Sequence, residues 1–79
     1  MTCRQLPKLP RVSGAEAVRA FEQCGWQVAR QRGSHVILTK PGMPITLSIP
    51  QHRLIGPGLL RDQIGKAGLS VEEFVAALR

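Results

Sequence analysis

The sequence has few acidic residues, few aromatic residues and no long apolar run. Only five of its 79 residues are Asp or Glu, and their spacing does not form the carboxylate cluster that holds Mg²⁺, which argues against a two-metal nuclease. No apolar run approaches the roughly 20 residues that cross a bilayer. Large aromatic side chains, which anchor interfacial helices, are also scarce, at 4% of the chain. We therefore expect no bound metal, no cofactor and no membrane association.

Cysteine is scarce as well. Cys3 and Cys24 are the two cysteines, and they lack the close pairing of a zinc knuckle. A disulfide framework is equally disfavoured, and Cys24 falls where a helix is expected to bury it. Residues 1–12 lack the apolar core of a signal peptide because Arg4, Lys8 and Arg11 interrupt them. We expect a cytoplasmic protein.

Positive charge is the main feature of the composition. Eleven Lys and Arg residues give a formal net charge of +6 and a pI near 10.8. Such a balance favours a polyanionic partner through counterion release. A chain of this length is expected to form one domain over residues 1–79, burying only about 60% of its unfolded surface. Any functional site must therefore lie on the surface.

The helices are predicted from their boundary residues. Residues 1–12 are expected to be an extended, solvated lead-in, in which Lys8 and Arg11 are candidate contacts to a nucleic-acid backbone. Ser13 and Glu16 form a capping box that begins a helix at Gly14, and this helix runs to about Cys24. Its apolar stripe comprises Ala17, Val18, Phe21 and Cys24, and Gly25 ends it.

Two further helices are predicted after the strands. Pro57 suits the first position of the second helix, Gly68 ends it, and Gly65 inside it hints at close packing. Ser70 and Glu73 repeat the capping box and begin the last helix. The buried side of the second helix should comprise Leu60, Ile64 and Ala67, and that of the last helix Val71, Phe74, Val75 and Leu78.

Three strands are predicted between the first and second helices, over residues 26–32, 35–40 and 45–49. In the first, Trp26 and Val28 should point inward, with Arg30 on the same side. In the second, His35 should lie on the face opposite Val36. The prediction is an α+β fold of two layers, in which a three-stranded antiparallel sheet carries helices on one face in the order α-β-β-β-α-α.

Most of the chemistry is concentrated in residues 30–37. Histidine exchanges a proton near neutral pH, and arginine has the shape that best grips phosphate. His35 follows the Gly33-Ser34 turn, with Arg30 and Arg32 before it, so the segment suggests an RNA substrate. Ser34 is expected to orient the turn. The alternative is an ordinary hairpin in which His35 is an exposed strand residue without a catalytic role.

A second polar group follows the third strand. Gln51, His52 and Arg53 lie in a loop that can reach back across the end of the sheet, and Arg61 lies in the next helix. The alternative for each is a solvated surface residue that makes no specific contact. His52 and Arg61 are nevertheless candidates for contact with RNA, and His52 for a second proton transfer.

Several short segments of the chain together form a recognisable pattern. They are Gly25-Trp26, Arg32-Gly33-Ser34-His35, Ile49-Pro50-Gln51-His52 and Gly58-Leu59-Leu60-Arg61, followed by Ala67-Gly68-Leu69. In the order and spacing of these segments the chain resembles the HicA toxin family, whose members are small mRNA-cleaving toxins with a fold like that of double-stranded-RNA-binding domains. Where the family has Gly-Thr-Leu-Arg, this chain has Leu59 in place of threonine and therefore offers no hydroxyl at the start of that helix.

The resemblance implies that His35 is the catalytic residue, because the family's catalytic histidine follows the Gly-Ser pair. It also implies a toxin of a type II toxin-antitoxin system, an endoribonuclease that acts on mRNA and is neutralised by a HicB-like antitoxin. Two alternatives remain: a non-catalytic RNA-binding module and a pure protein-interaction domain.

Overall fold

A computed structural model describes residues 9–78. The elements are α1 (Gly14–Gln23), β1 (Gln27–Arg32), β2 (His35–Thr39), β3 (Leu47–Pro50), α2 (Pro57–Lys66) and α3 (Val71–Ala77). The three strands form one antiparallel sheet in the order β1-β2-β3. The predicted α+β fold and its element order are confirmed.

The helix boundaries follow from local side-chain chemistry, as predicted. The Ser13 hydroxyl accepts from the Glu16 backbone N–H at 3.2 Å, and the Glu16 carboxylate accepts from the Ser13 N–H at 2.9 Å. Ser70 and Glu73 repeat this exchange at the start of α3. Gly25, directly after the cap of α1, has a φ of 98°, in the left-handed region that glycine adopts without strain. Both capping boxes and the glycine stop are confirmed.

The core lies between the sheet and the helices. Val36 and Leu38 of β2, with Leu47 and Ile49 of β3, supply its sheet side. α1 packs on β1 and β3, α2 packs on β3, and α3 packs against α1 and α2. Phe74 of α3 brings its ring centroid within 5.0 Å of that of Phe21. Among residues 9–78, no helix covers the opposite side of the sheet.

We call that side the open face and define it by the strand positions that alternate with the core residues. His35, Arg30 and Arg32 are exposed there, while Ile37 and Thr39 are half-buried. Its members on β1 and β2 are Gln27, Arg30, Arg32, His35, Ile37 and Thr39. His35 and Val36 therefore lie on opposite faces of the sheet, and this prediction is confirmed.

The predicted third strand is shifted along the chain. It begins at Leu47 rather than Ile45 and includes Pro50. Pairing with β2 starts where Leu47 meets Leu38, and Pro44, which has no N–H for a ladder, immediately precedes Ile45. The side chain of Ile45 is 38% exposed. The alternating sequence pattern therefore begins before the paired strand does, in the segment that follows the turn.

Two expectations about burial are also wrong. Val12 is only 3% exposed and belongs to the core, so the end of the lead-in is not a solvated tail; Lys8 and Cys3 lie outside the described residues. A Cβ added to Gly65 would meet nothing within 4 Å, so this glycine does not mark close packing. The predicted stripe of α3, in contrast, agrees with the structure, because Phe74 is buried and the three other members are half-buried.

No helix within residues 9–78 is long and apolar enough to cross a membrane.

Candidate functional site

The site is built on the β1–β2 hairpin. Gly33 has a φ of 60° and Ser34 keeps a negative φ, the combination of a two-residue type II′ turn with glycine at its first position. Arg32 and His35 flank this turn as paired residues of the two strands. Gln31 Nε2 adds a hydrogen bond of 3.1 Å to the Gly33 carbonyl. The short turn therefore fixes Arg32 beside His35.

A β-bulge changes which way the arginines of β1 face. Val28 pairs with Leu38, so in a regular ladder Arg30 would pair with Val36. Arg30 pairs with Ile37 instead, because Ala29 is an extra residue in β1. Arg30 therefore lies on the open face. The prediction from alternation alone, which placed it on the side of Trp26 and Val28, is wrong. The shift places both Arg30 and Arg32 on the same face as His35.

Val28 lies on the predicted side of the sheet but is not buried. Its pairing with Leu38 places it on the core side, yet its side chain is 47% exposed. All six residues of β1 are exposed because β1 is an edge strand that the core does not enclose. The buried anchor at this end of the sheet is Trp26, which is 1% exposed and was predicted to point inward.

The end of β3 is tied to the turn. Pro50 pairs with His35, and the Gln51 backbone N–H donates to the Ser34 carbonyl at 2.6 Å. The Ser34 carbonyl thus connects the turn to the end of β3. His52 follows by one residue and its carbonyl accepts from the Gly14 N–H at 2.9 Å. These hydrogen bonds bring the loop that carries His52 alongside the turn. The His52 side chain is exposed.

Arg61 lies on a different element. It is exposed on α2, which packs against β3 and α3. Among the described residues, no hydrogen bond or strand pair connects Arg61 to the hairpin. The structure therefore groups Arg30, Arg32, Ser34 and His35 on the hairpin, connects the loop of His52 to it, and places Arg61 on a separate helix.

The hairpin arginines form no salt bridge in the described part of the chain. Within residues 9–78 the one salt bridge joins Lys66 to Asp62 at 3.2 Å, both on α2. Arg30 and Arg32 are exposed on β1. An approaching phosphate would therefore meet guanidinium groups that are not already paired with a carboxylate there.

Within the described residues, Cys24 has a thiol whose pKa is shifted by its surroundings. Burial raises the pKa of its thiol, the nearby Glu73 carboxylate adds to the rise, and Lys40 opposes it. The Lys40 ammonium also donates to the Cys24 carbonyl at 3.1 Å, at the end of α1. The Cys24 side chain, which was predicted to be buried by the helix, is half-buried and packs against the core. Within residues 9–78, no three His, Cys, Asp or Glu side chains are grouped to hold a metal ion.

Two backbone contributions to this site were missed by the sequence analysis. One is the Gln51 N–H that holds the turn, and the other is Gly14, which meets the same loop. The sequence signal for the first was a polar loop after β3, and the signal for the second was a glycine at the start of a helix. Neither signal specifies which distant segment is contacted.

The model of a protein family described as the HicA toxin of bacterial toxin-antitoxin systems matches residues 14–69. This range includes the hairpin, the loop after β3 and all of α2. No curated protein matches the chain.

Proposed function

The chain belongs to the HicA toxin family, and on that premise we propose that it is an endoribonuclease that cleaves mRNA without a metal ion. The observation that carries the proposal is the pairing of Arg32 with His35 across a two-residue turn. A proton-transfer group and a phosphate-binding group are thereby held together on an exposed surface.

The proposed reaction is an attack of a ribose 2′-hydroxyl on the adjacent phosphorus. A base removes the 2′-hydroxyl proton as the new O–P bond forms, and an acid gives a proton to the 5′-oxygen as its bond to phosphorus breaks. The products are a 2′,3′-cyclic phosphate and a 5′-hydroxyl. His35 performs one of these proton transfers, and His52 or water performs the other.

The proposed role of the arginines is to bind the phosphate. Arg32 is nearest His35 in the strand register, and Arg30 follows it on the open face. Guanidinium groups bind phosphate oxygens through charge-assisted hydrogen bonds and stabilise the charge that develops on them. Ser34 holds the turn, while Arg61 on α2 binds RNA backbone beyond the cleaved phosphate.

Membership of a toxin-antitoxin family supports a second element of the proposal, a protein partner. We assign this role to a HicB-like antitoxin that neutralises the toxin. The proposed substrate, mRNA, places the action of the protein in the cytoplasm.

The test compares wild type with His35→Ala for RNA cleavage in the presence of EDTA and for growth arrest on expression. We expect the substitution to lower the cleavage rate on the order of 10² to 10⁴-fold, the usual contribution of a positioned general acid or base. Gln27→Ala, at an exposed open-face position away from the turn, is the matched control. Equal cleavage by wild type and His35→Ala would remove His35 from the mechanism, and abolition by EDTA would remove the metal-free reaction.

The second candidate is a non-catalytic RNA-binding module. The exposed basic hairpin and the net charge of +6 favour it, because phosphate contacts alone can hold RNA. In that case RNA binding would be tight and salt-sensitive, but no cleavage products would appear at any pH. His35→Ala would then alter affinity no more than other single changes on this face.

A further inference from the structure

Gly14, the first residue of α1, makes an unusually close approach to the loop after β3. A Cβ built on it would collide with the Pro50 carbonyl oxygen and would lie 2.7 Å from the Gln51 Cα. Both are backbone atoms, which cannot rotate away as a side chain can. The Gly14 N–H also donates to the His52 carbonyl at 2.9 Å. The absence of a side chain is therefore what allows α1 to rest on this loop.

Steric space, and not backbone conformation, explains why glycine is needed here. Gly14 is not among the residues with positive φ, so alanine could adopt the same backbone angles. Alanine is also the better helix former. Since Ser13 caps the helix independently of residue 14, the neighbouring loop is the reason that a side chain is excluded.

The other side of the same loop holds the turn that carries His35. Gln51 donates its backbone N–H to the Ser34 carbonyl at 2.6 Å, and Pro50 pairs with His35. Residues 50–52 thus lie between the first residue of α1 and the turn. A displacement of this segment by a side chain at position 14 would move the partners of both Ser34 and His35.

We propose that Gly14 is a positioning residue for His35, acting through the backbone of residues 50–52. This proposal rests on the proposed ribonuclease function. A reacting group must be held closely, since a misplacement of about 1 Å can lower a rate by roughly 10²-fold. Binding of RNA through exposed arginines tolerates such a shift better, because phosphate contacts are electrostatic and long in reach.

The first experiment compares Gly14→Ala with Gly65→Ala, an identical change in α2 where a Cβ would meet nothing within 4 Å. The single-turnover cleavage rate is measured alongside the Kd for a 2′-O-methyl RNA that cannot be cleaved, at a temperature where both variants are folded. Gly14→Ala should lower the rate at least about tenfold while the Kd changes less than about twofold. Gly65→Ala should change neither. A wild-type rate, or an equal loss of rate and affinity, in Gly14→Ala would overturn the positioning role.

A second pair of variants approaches the same segment without touching α1, in case Gly14→Ala does not fold. Gln51→Pro removes the N–H that donates to Ser34, whereas Gln51→Ala keeps it. The loss of rate should be greater in Gln51→Pro than in Gln51→Ala, again with little change in RNA affinity. Equal rates in the two variants would overturn the proposal.

Amide NMR separates failure of this inference from failure of the proposed function. Gly14→Ala, but not Gly65→Ala, should shift the Ser34, His35 and Gln51 amide signals even if the wild type cleaves no RNA. In that event the ribonuclease function fails and the structural coupling stands. Shifts confined to α1 would overturn the coupling whatever the activity.

Discussion

The two edges of the sheet are built in opposite ways. At one edge, β3 is mostly buried, and Gln63 of α2, only 5% exposed, accepts a hydrogen bond of 3.1 Å from the Ser48 N–H. At the other edge, all six residues of β1 are exposed, the strand is bulged at Ala29, and its arginines lie on the open face. A bulge and charged side chains discourage pairing with another strand.

We expect this difference to separate stability from the proposed function along one small sheet. The β3 edge joins the core, so its side chains should determine the free energy of unfolding. The β1 edge is held by the turn and by strand pairing, so its side chains should matter for binding and catalysis. His35 lies on the central strand between the two, where its backbone is paired with both β1 and β3.

Truncation of one apolar residue at each edge should give the largest contrast. Ile49→Ala in β3, at a side chain 1% exposed, should lower the free energy of unfolding by about 2–5 kcal/mol through lost burial and the cavity left behind. Val28→Ala in β1, at a side chain 47% exposed, should lower it by less than about 1 kcal/mol. Urea unfolding followed by the fluorescence of buried Trp26 measures both.

Similar losses at the two positions would break the distinction between the edges. If Ile49→Ala does not fold, Ile49→Val provides a milder change that should still lower the free energy of unfolding by about 0.5–1.5 kcal/mol. If Ile49→Val loses this much free energy of unfolding and Val28→Ala loses less, the two edges still differ as expected.

Gln63 offers a sharper test of the β3 edge. Gln63→Leu keeps most of the side-chain volume but removes the acceptor of the Ser48 N–H. We expect the free energy of unfolding to fall by about 1–3 kcal/mol, because a partly buried donor loses its partner. Hydrogen exchange at the Ser48 amide should accelerate in parallel. An unchanged exchange rate would mean that Gln63 does not protect this edge.

The boundaries of the fold were predictable because their causes are local. Ser13 with Glu16, and Ser70 with Glu73, satisfy backbone groups within one helical turn, so the residues themselves specify where a helix begins. The Gly33 turn is equally local. For the same reason, the sequence predicted the hairpin that presents His35.

What the sequence could not predict depends on distant partners. The bulge at Ala29 arises from the pairing of β1 with β2, and it alone places Arg30 beside the other open-face residues. Gln63 looked like an ordinary polar residue of α2 until its partner in β3 was known. Gly14 likewise looked like a helix start, and its contact with residues 50–52 depends on the folded chain.

Charge removal at the β1 edge should affect RNA binding and not stability. Arg32→Gln should reduce the slope of log K against log salt concentration by about 1 while the free energy of unfolding changes by less than about 0.5 kcal/mol. Arg19→Gln, an exposed arginine of α1, makes the same change in charge away from the open face. If both variants reduce the slope equally, the overall charge and not the hairpin binds RNA.

The smallest effect is expected at Cys24, on neither edge of the sheet. Because the pKa of its thiol is raised by burial and by Glu73, the unfolded chain loses this proton at a lower pH than the folded chain. Stability from this group is therefore complete below the ordinary thiol range, near 8.5, and declines as pH rises through the higher folded pKa. In a Cys3→Ser background, the pH midpoint of alkylation should lie above that of the urea-unfolded chain.

Variants of the two charged neighbours test the cause of this shift. Glu73→Gln, which keeps an acceptor for the α3 cap, should lower the pKa of the Cys24 thiol and speed alkylation near neutral pH. Lys40→Met should raise the pKa and slow it, because the opposing cation is gone. Alkylation by iodoacetamide across a range of pH gives both midpoints. Since neither residue belongs to the open face, RNA cleavage should be unchanged in both variants, and a coupled loss would mean that the end of α1 also supports the hairpin.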